Sequence, residues 1–309
     1  MAGGLTPEME AWEAIARESR MAQVTQSSDR PILYVAVTAH GFGHATRVSS
    51  VVATLQKMWP ALLPVMVTRA PRWLLDSYLE QDFIYRPRSL DVGVIQGDSL
   101  TIDRGATLDR LQDIRKQSQS ILAAEAGFIR QMSVKSGRVV LILADLPPLA
   151  AALGKLTEIP CWALGNFGWD FIYQDWGAPF AQEVEWIQKQ FSLCDRLFRL
   201  PFHESMASFP TITDVGLTGG TPRFSPEELR ERLRIPNCPR DRTILLTFGG
   251  LGLDAIPYDN LMMFPDWHFV TFDRSAPDLP NLTRIADPDD PTQATREYRP
   301  VDLLPICGK

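Results

Sequence analysis

The sequence predicts an α/β protein with one complete domain on a parallel sheet flanked by helices, followed by part of a second domain of the same kind. Three observations lead there. Short runs that are apolar throughout alternate with stretches whose apolar residues recur at helical spacing, as strands buried on both faces and their covering helices require. Tight glycine-containing turns follow several of the apolar runs. The length of 309 residues, at roughly 100–200 residues per domain, fits two domains, or one domain and a large fragment.

The elements follow in order. Met1 to Val24 is acidic and amphipathic, with Met9, Trp12, Ile15 and Ala16 on one helix face and no apolar h-region, so residues 1–30 read as a helical tail. Pro31 to Val37 is the first strand, and the tight loop His40-Gly-Phe-Gly-His44 ends it. Val48, Val51, Val52 and Leu55 then mark a helix, and Leu63 to Val67 a second strand, giving a right-handed βαβ unit. Asp103 to Met132 is long and mostly helical. Arg138 to Ala144 is the strongest strand, ending at Asp145; a helix from about Leu149 to Leu156, a strand Ile159 to Leu164 and a loop Gly165 to Asp170 follow. Arg196 to Leu200 is a further strand.

Gly219-Gly220-Thr-Pro222 breaks the chain, so the first domain is placed at 31–222. Ser225-Pro-Glu-Glu228 opens a short helix with Ser as N-cap and Pro at N1, within a linker at 223–241. The partial second domain, 242–309, begins with the strand Arg242 to Phe248, turned by Gly249-Gly-Leu-Gly252. Trp267 to Phe272 is its next strand, and Leu282 to Ile285 a short one inside the Pro/Asp-rich segment 278–295. No solenoid-length repeat or low-complexity segment interrupts this pattern.

Composition narrows the function. With 45% hydrophobic and 22% charged residues the chain is an ordinary soluble globular protein, not a disordered one. A net charge of −6 argues against nucleic acid as the main partner. No apolar run approaches the ~18 residues of a membrane span. Cys161, Cys194, Cys238 and Cys307 are scattered without a CxxC pair, which suits a reducing compartment, and a cytoplasmic protein is expected. His40, His44, His203 and His268 are too dispersed for a structural zinc site, and no Asp-x-Asp pair ends a strand, so no metal is expected; Asp289-Asp290 reads as surface.

The loop after the first strand is the most informative. Gly41 and Gly43 allow a sharp turn and close backbone approach at a strand's carboxyl end, where open α/β sheets bind ligands. A dinucleotide fingerprint fails twice, because its third glycine would be Thr46 and the second strand ends Thr68-Arg69-Ala70 rather than on a carboxylate. No Walker A sequence exists. What remains is imidazole. His44 is a natural general base, and Asp145, ending another strand of the same sheet, is a plausible partner to fix its tautomer and stabilise its cation. The alternatives are that Asp145 caps a helix and that the loop histidines only bind backbone.

The second loop carries Asn166, Trp169 and Asp170, with Phe171 and Tyr173 close by. Exposed aromatics beside amide and carboxylate groups suit a carbohydrate; the alternative is that Trp169 and Phe171 plug the core and Asp170 caps the next helix. Gly249 and Gly250 could offer backbone N–H groups to a diphosphate. Arg69, Arg72, Arg86 and Arg88 read as solvated surface, and Asp98, Asp103 and Arg104 as polar groups of a pocket rather than metal ligands.

These residues carry a resemblance. Val37-Thr-Ala-His-Gly-Phe-Gly-His-Ala-Thr-Arg47 resembles the first loop of two-domain nucleotide-sugar glycosyltransferases of the GT-B fold. More closely, it is similar to the glycosyltransferase-like N-terminal region of plant L-arabinokinase and its stand-alone bacterial relatives. The likeness continues through Gln96 to Asp103, Ala144 to Pro148, Asn166 to Tyr173, Arg199 to Pro201 and Thr247 to Gly250, and so covers about 31 to 309. It implies a GT-B architecture, one complete Rossmann-like domain and a C-terminally incomplete second one. It also implies inverting transfer from a nucleotide-diphospho-sugar to an acceptor hydroxyl, with His44 as base and Asp145 orienting it. His40, Gly41, Gly43, Asn166, Trp169 and Asp170 would contact substrate, and Gly249 and Gly250 the donor diphosphate.

The nucleotide-sugar would be a co-substrate, with no other cofactor. In the family the donor site follows a segment like Tyr298 to Pro305, whereas this sequence stops at Lys309, so impaired activity is expected. The kinase domain of arabinokinase is absent, so sugar kinase activity is not expected. A non-catalytic sugar- or nucleotide-sugar-binding module, regulatory or completed by another chain or a second copy, is the alternative. A Rossmann-like protein of unrelated chemistry, such as an epimerase, is weaker because the dinucleotide fingerprint fails. Acceptor specificity would reside in residues 70–135.

Overall fold

The computed structural model describes residues 30–97, 100–247, 256–285 and 297–308. The expectations for the N-terminal tail, for Asp98, for Gly249, Gly250 and Gly252, and for Asp289 and Asp290 lie outside the described residues.

Two parallel sheets carry the fold. The larger comprises β1 (Ile32–Val37), β2 (Leu63–Val67), β3 (Ile84–Arg86), β4 (Val139–Asp145), β5 (Cys161–Gly165), β6 (Arg196–Arg199) and β7 (Ile212–Asp214), in the order β3-β2-β1-β4-β5-β6-β7. The order reverses between β1 and β4, the kind of switch point at which open α/β sheets form their crevice. The smaller sheet comprises β8 (Thr243–Leu246), β9 (His268–Thr271) and β10 (Leu282–Arg284), in the order β10-β9-β8, with both pairs parallel.

The helices are α1 (Gly43–Met58), α2 (Arg72–Asp76), α3 (Arg104–Lys135), α4 (Leu149–Thr157), α5 (Trp169–Gln174), α6 (Ala181–Phe191), α7 (Pro226–Leu233) and α8 (Pro300–Leu303). The chain groups into two compact units. Among the described residues, one comprises 30–36, 59–66 and 112–218, the other 37–58, 67–97, 100–111, 219–247, 256–285 and 297–308.

In the first unit, the apolar runs bury as their composition requires. Ile32 to Ala36 are all buried, and the hydroxyl of Tyr34 donates to Glu125 Oε2 at 2.9 Å, so one long side chain of α3 satisfies the polar atom inside the strand. Strands β4, β5 and β6 are parallel in register, with Ile142 opposite Cys161 and Trp162 opposite Arg196. Gly137 turns the chain into β4 at φ +135°, and a Cβ there would run into the carbonyl of Arg30. This is a backbone requirement that only glycine meets.

In the second unit, the small sheet packs Val270 and Ile285 against Leu229, Ile235, Tyr298, Leu303 and Ile306. Helix α7 starts as its sequence predicts. Ser225 Oγ accepts from the backbone N–H of Glu228 at 3.2 Å, and Glu228 Oε2 accepts from the backbone N–H of Ser225 at 2.8 Å. This reciprocal box satisfies two donors that a helix start leaves over.

Two expectations shift. The strand placed at Ile159 to Leu164 runs from Cys161 to Gly165, and the following loop is shorter because α5 begins at Trp169. The elements α2, β3, α5, α6, β7 and α8 were not anticipated. Most are three to six residues long, too short for a period to register.

Candidate functional site

The first loop belongs to the second unit. Gly41 takes φ +65°, and α1 begins at Gly43. A Cβ added at either glycine would meet no atom within 4 Å, so both present bare backbone to open space. Glycine there leaves room for close approach by a ligand rather than for packing.

His44 is the second residue of α1 and only 8% exposed. Arg47, one turn on, places Nη2 3.1 Å from His44 Nδ1. A guanidinium only donates, so Nδ1 accepts and the neutral ring carries its proton on Nε2.

His40 is half-buried and packs on the loop at Gly93 and Val94. The Val94 N–H donates to His40 Nδ1 at 3.4 Å. Gly93 adopts φ +68°, and a Cβ there would lie 2.7 Å from His40 Cβ. Burial lowers the pKa of His40, the charge of His44 lowers it further, and the Val94 backbone acts in the opposite direction.

Asp145 closes β4 and is fully buried. The residue at the N-cap position of α4 is Pro148, three residues after Asp145.

The second loop belongs to the first unit. The Asn166 carbonyl accepts from the Glu204 N–H at 3.0 Å, and the Gly168 N–H donates to Glu204 Oε1 at 3.2 Å. Trp169, expected as an exposed aromatic, is instead 2% exposed. Its ring meets Phe167 edge-on at 5.4 Å and stacks on Tyr173 at 5.8 Å, so aromatic packing claims it. Phe171 is the exposed aromatic of α5. Asp170 is not the helix cap, which is Gly168; its Oδ2 accepts from Ser208 Oγ at 2.6 Å. Burial raises the Asp170 pKa, with the Ser208 hydrogen bond pulling the other way.

Asp103, expected as a polar group of a pocket, caps α3. Its Oδ1 accepts from the backbone N–H of Ala106 at 2.8 Å. Arg69, Arg72 and Arg88 are exposed as expected, and Arg86 is half-buried. Among the described residues, no group of three or more His, Cys, Asp or Glu is placed to hold a metal ion, and no helix is long and apolar enough to cross a membrane.

Sequence reasoning missed two participants. Arg47 had a usable signal, since i,i+3 spacing on a helix puts it beside His44. Glu204 had none, because it is 36 residues from Gly168 and only the pairing of β5 with β6 brings them together.

No protein-family model matches the chain. L-arabinokinase of Arabidopsis thaliana is 32% identical to it over 233 residues, which are 74% of this chain and 22% of that protein. The chain therefore spans about a fifth of that relative's length. Among solved structures, a UDP-glucosyltransferase from Polygonum tinctorium capable of glucosylating indoxyl, in complex with 3,4-dichloroaniline, superposes with a TM-score of 0.51 at 14% identity. The match covers 80% of this chain and 65% of that one. Strand order and this structural likeness agree: the chain has a fold of the GT-B type.

Proposed function

We propose that the chain transfers a sugar from a nucleotide-diphospho-sugar to an acceptor hydroxyl with inversion, His44 acting as base and Asp145 as its orienting carboxylate. The observation that carries this reading is the place of His44. It heads α1 directly after an open glycine turn at the carboxyl end of β1, where the strand order reverses toward β4. Asp145 is buried at the end of β4.

In the reaction, the acceptor oxygen forms a bond to the anomeric carbon on the face opposite the diphosphate. The bond from that carbon to the phosphate oxygen breaks, and the electron pair leaves with the nucleotide. The hydroxyl proton passes to His44, and Asp145 stabilises the resulting imidazolium. The nucleotide-sugar is a co-substrate, and the reading invokes no other cofactor.

His44→Ala is expected to lower transfer by ~10²–10⁴-fold. The check is product formation from UDP-glucose with hydroxylated acceptors, or its hydrolysis by water, alongside the melting temperature. A folded variant with full activity overturns the assignment.

One observation favours a second reading, a nucleotide-sugar-binding module without turnover. Arg47 donates to His44 Nδ1, the nitrogen an orienting carboxylate would need, and places a fixed cation where an imidazolium would form. Calorimetric titration with UDP-glucose followed by the turnover assay separates the two. Heat without product supports the module.

A further inference from the structure

We propose that the loop after β6 is a binding platform for a hydroxylated ring, with Phe202 taking the flat apolar face of the ring and His203 Nε2 accepting a hydroxyl at its edge. The inference concerns the first unit alone and holds whether or not the chain transfers sugar.

The platform lies where ligands of such sheets bind. Strands β5 and β6 are parallel neighbours with Gly165 opposite Arg199, so the loops 166–168 and 200–208 leave the same carboxyl edge. Phe202 is 89% exposed and sits at φ +59°. Both features work against folding. The left-handed region is unfavourable for any residue with a Cβ, and a ring so exposed adds almost nothing to the core. Glycine would serve the backbone better at this position. Strain of this kind persists where the surroundings enforce it and is concentrated at functional sites.

The surroundings do enforce it. The Glu204 carboxylate accepts from the Gly168 N–H at 3.2 Å, from Ser205 Oγ at 3.1 Å and from the Met206 N–H. The Glu204 N–H donates to the Asn166 carbonyl at 3.0 Å, and Arg199 Nη1 donates to the Ser205 carbonyl at 3.0 Å. Met206, at φ +52° and buried, anchors the far end. Phe202 is therefore held out from a fixed frame rather than from a loose loop.

His203 supplies the polar half. Its Nδ1 lies 2.9 Å from the Glu204 carbonyl, and a carbonyl only accepts. Nδ1 thus carries the proton of the neutral ring, which makes Nε2 the lone-pair acceptor of an exposed imidazole. An aromatic face beside such an acceptor matches a ring with a flat apolar side and an O–H at its rim. Pyranosides and phenols share that chemistry.

The test follows the imidazole resonances of the intact chain, with the His203 signal assigned from His203→Gln, while methyl β-D-glucopyranoside or phenol is added. A saturable shift of the His203 signal is expected. The probe that produces it identifies the source, carbohydrate or planar aromatic. Phe202→Gly should weaken that binding about tenfold or more, equivalent to about 1.4 kcal/mol, while its thermal midpoint stays level or rises. Titrated by calorimetry with the same probe, His203→Leu should lose binding that His203→Gln partly retains, and equal binding by both would overturn the role of Nε2. Three results overturn the proposal: no saturable response to either probe, unchanged binding by Phe202→Gly, or a lowered thermal midpoint for that variant, which would make the ring part of the fold.

Discussion

The imidazole of His40 shows how little tolerance single atoms have in the first loop. Gly93 adopts φ +68°, and its missing Cβ is filled by the His40 side chain, with 2.7 Å separating the would-be carbon from His40 Cβ. Gly93→Ala therefore faces a strained backbone and a collision at once. It is expected to cost about 1–3 kcal/mol and to shift the His40 imidazole resonance, read from a denaturation curve and a histidine spectrum. His44 is itself buried and hydrogen-bonded to Arg47, although the glycines before it border open space. In the proposed role, its replacement by Ala should lower transfer and cost some stability as well. The two histidines and the two glycines of this loop were legible in the sequence, because loop chemistry after a strand is local. The donor on Nδ1, Arg47, was legible only in retrospect from its helical spacing.

Helix α8 has four residues, and a buried carboxylate holds it in place. Asp302, with 0% exposure, accepts from Arg223 Nη2 at 2.7 Å and from Arg299 Nη2 at 2.9 Å, and it also accepts the backbone N–H of Arg299 at 2.9 Å. Burial alone would raise its pKa, but the hydrogen bonds from Arg299 and Arg223 outweigh burial and hold it below the usual carboxylate range. A folded pKa below the unfolded one means the ion pairs stabilise fully above the unfolded value, near 3.9, and the contribution is lost as pH falls through the folded value. Asp302→Asn should therefore destabilise at neutral pH, by about 3–5 kcal/mol if the buried arginine is left uncompensated. It should also flatten the loss of stability below about pH 4, which equilibrium unfolding at a series of pH values would show. Sequence periodicity located β1, β2, β4, β5, β6, β8, β9 and β10 and the helices α1, α3 and α4, but not α6. It could not announce α8, whose partner Arg223 is 79 residues away.

At the scale of the whole chain, the cysteines report which surfaces are sealed. Cys161 begins β5, and Cys194 immediately precedes the turn into β6, so pairing of those strands brings together two thiols that look unrelated in sequence. Cys194 Sγ donates to the Cys161 carbonyl at 3.2 Å. Its hydrogen bond with Cys194, and then burial, push the Cys161 thiol well up; the same hydrogen bond lowers that of Cys194 against burial. Burial pushes Cys307 up to about 11. All four cysteines are free, and Cys238 alone is not buried. Brief alkylation of the native chain is expected to label Cys238 and leave the other three, as read by peptide mass spectrometry, while denatured chain labels at all four. The sequence by itself determined the alternation of buried parallel strands with covering helices, the glycine turn before His44, and the Ser225 N-cap of α7. Each of these is written within one element or one turn, where spacing and backbone chemistry are local. Only the tertiary structure decided that Trp169 packs inward, that Asp103 and Asp302 serve as structural anchors, and that Phe202 stands out on a frame held by Glu204. Those outcomes depend on which strands become neighbours, and strand order joins residues that no local pattern connects.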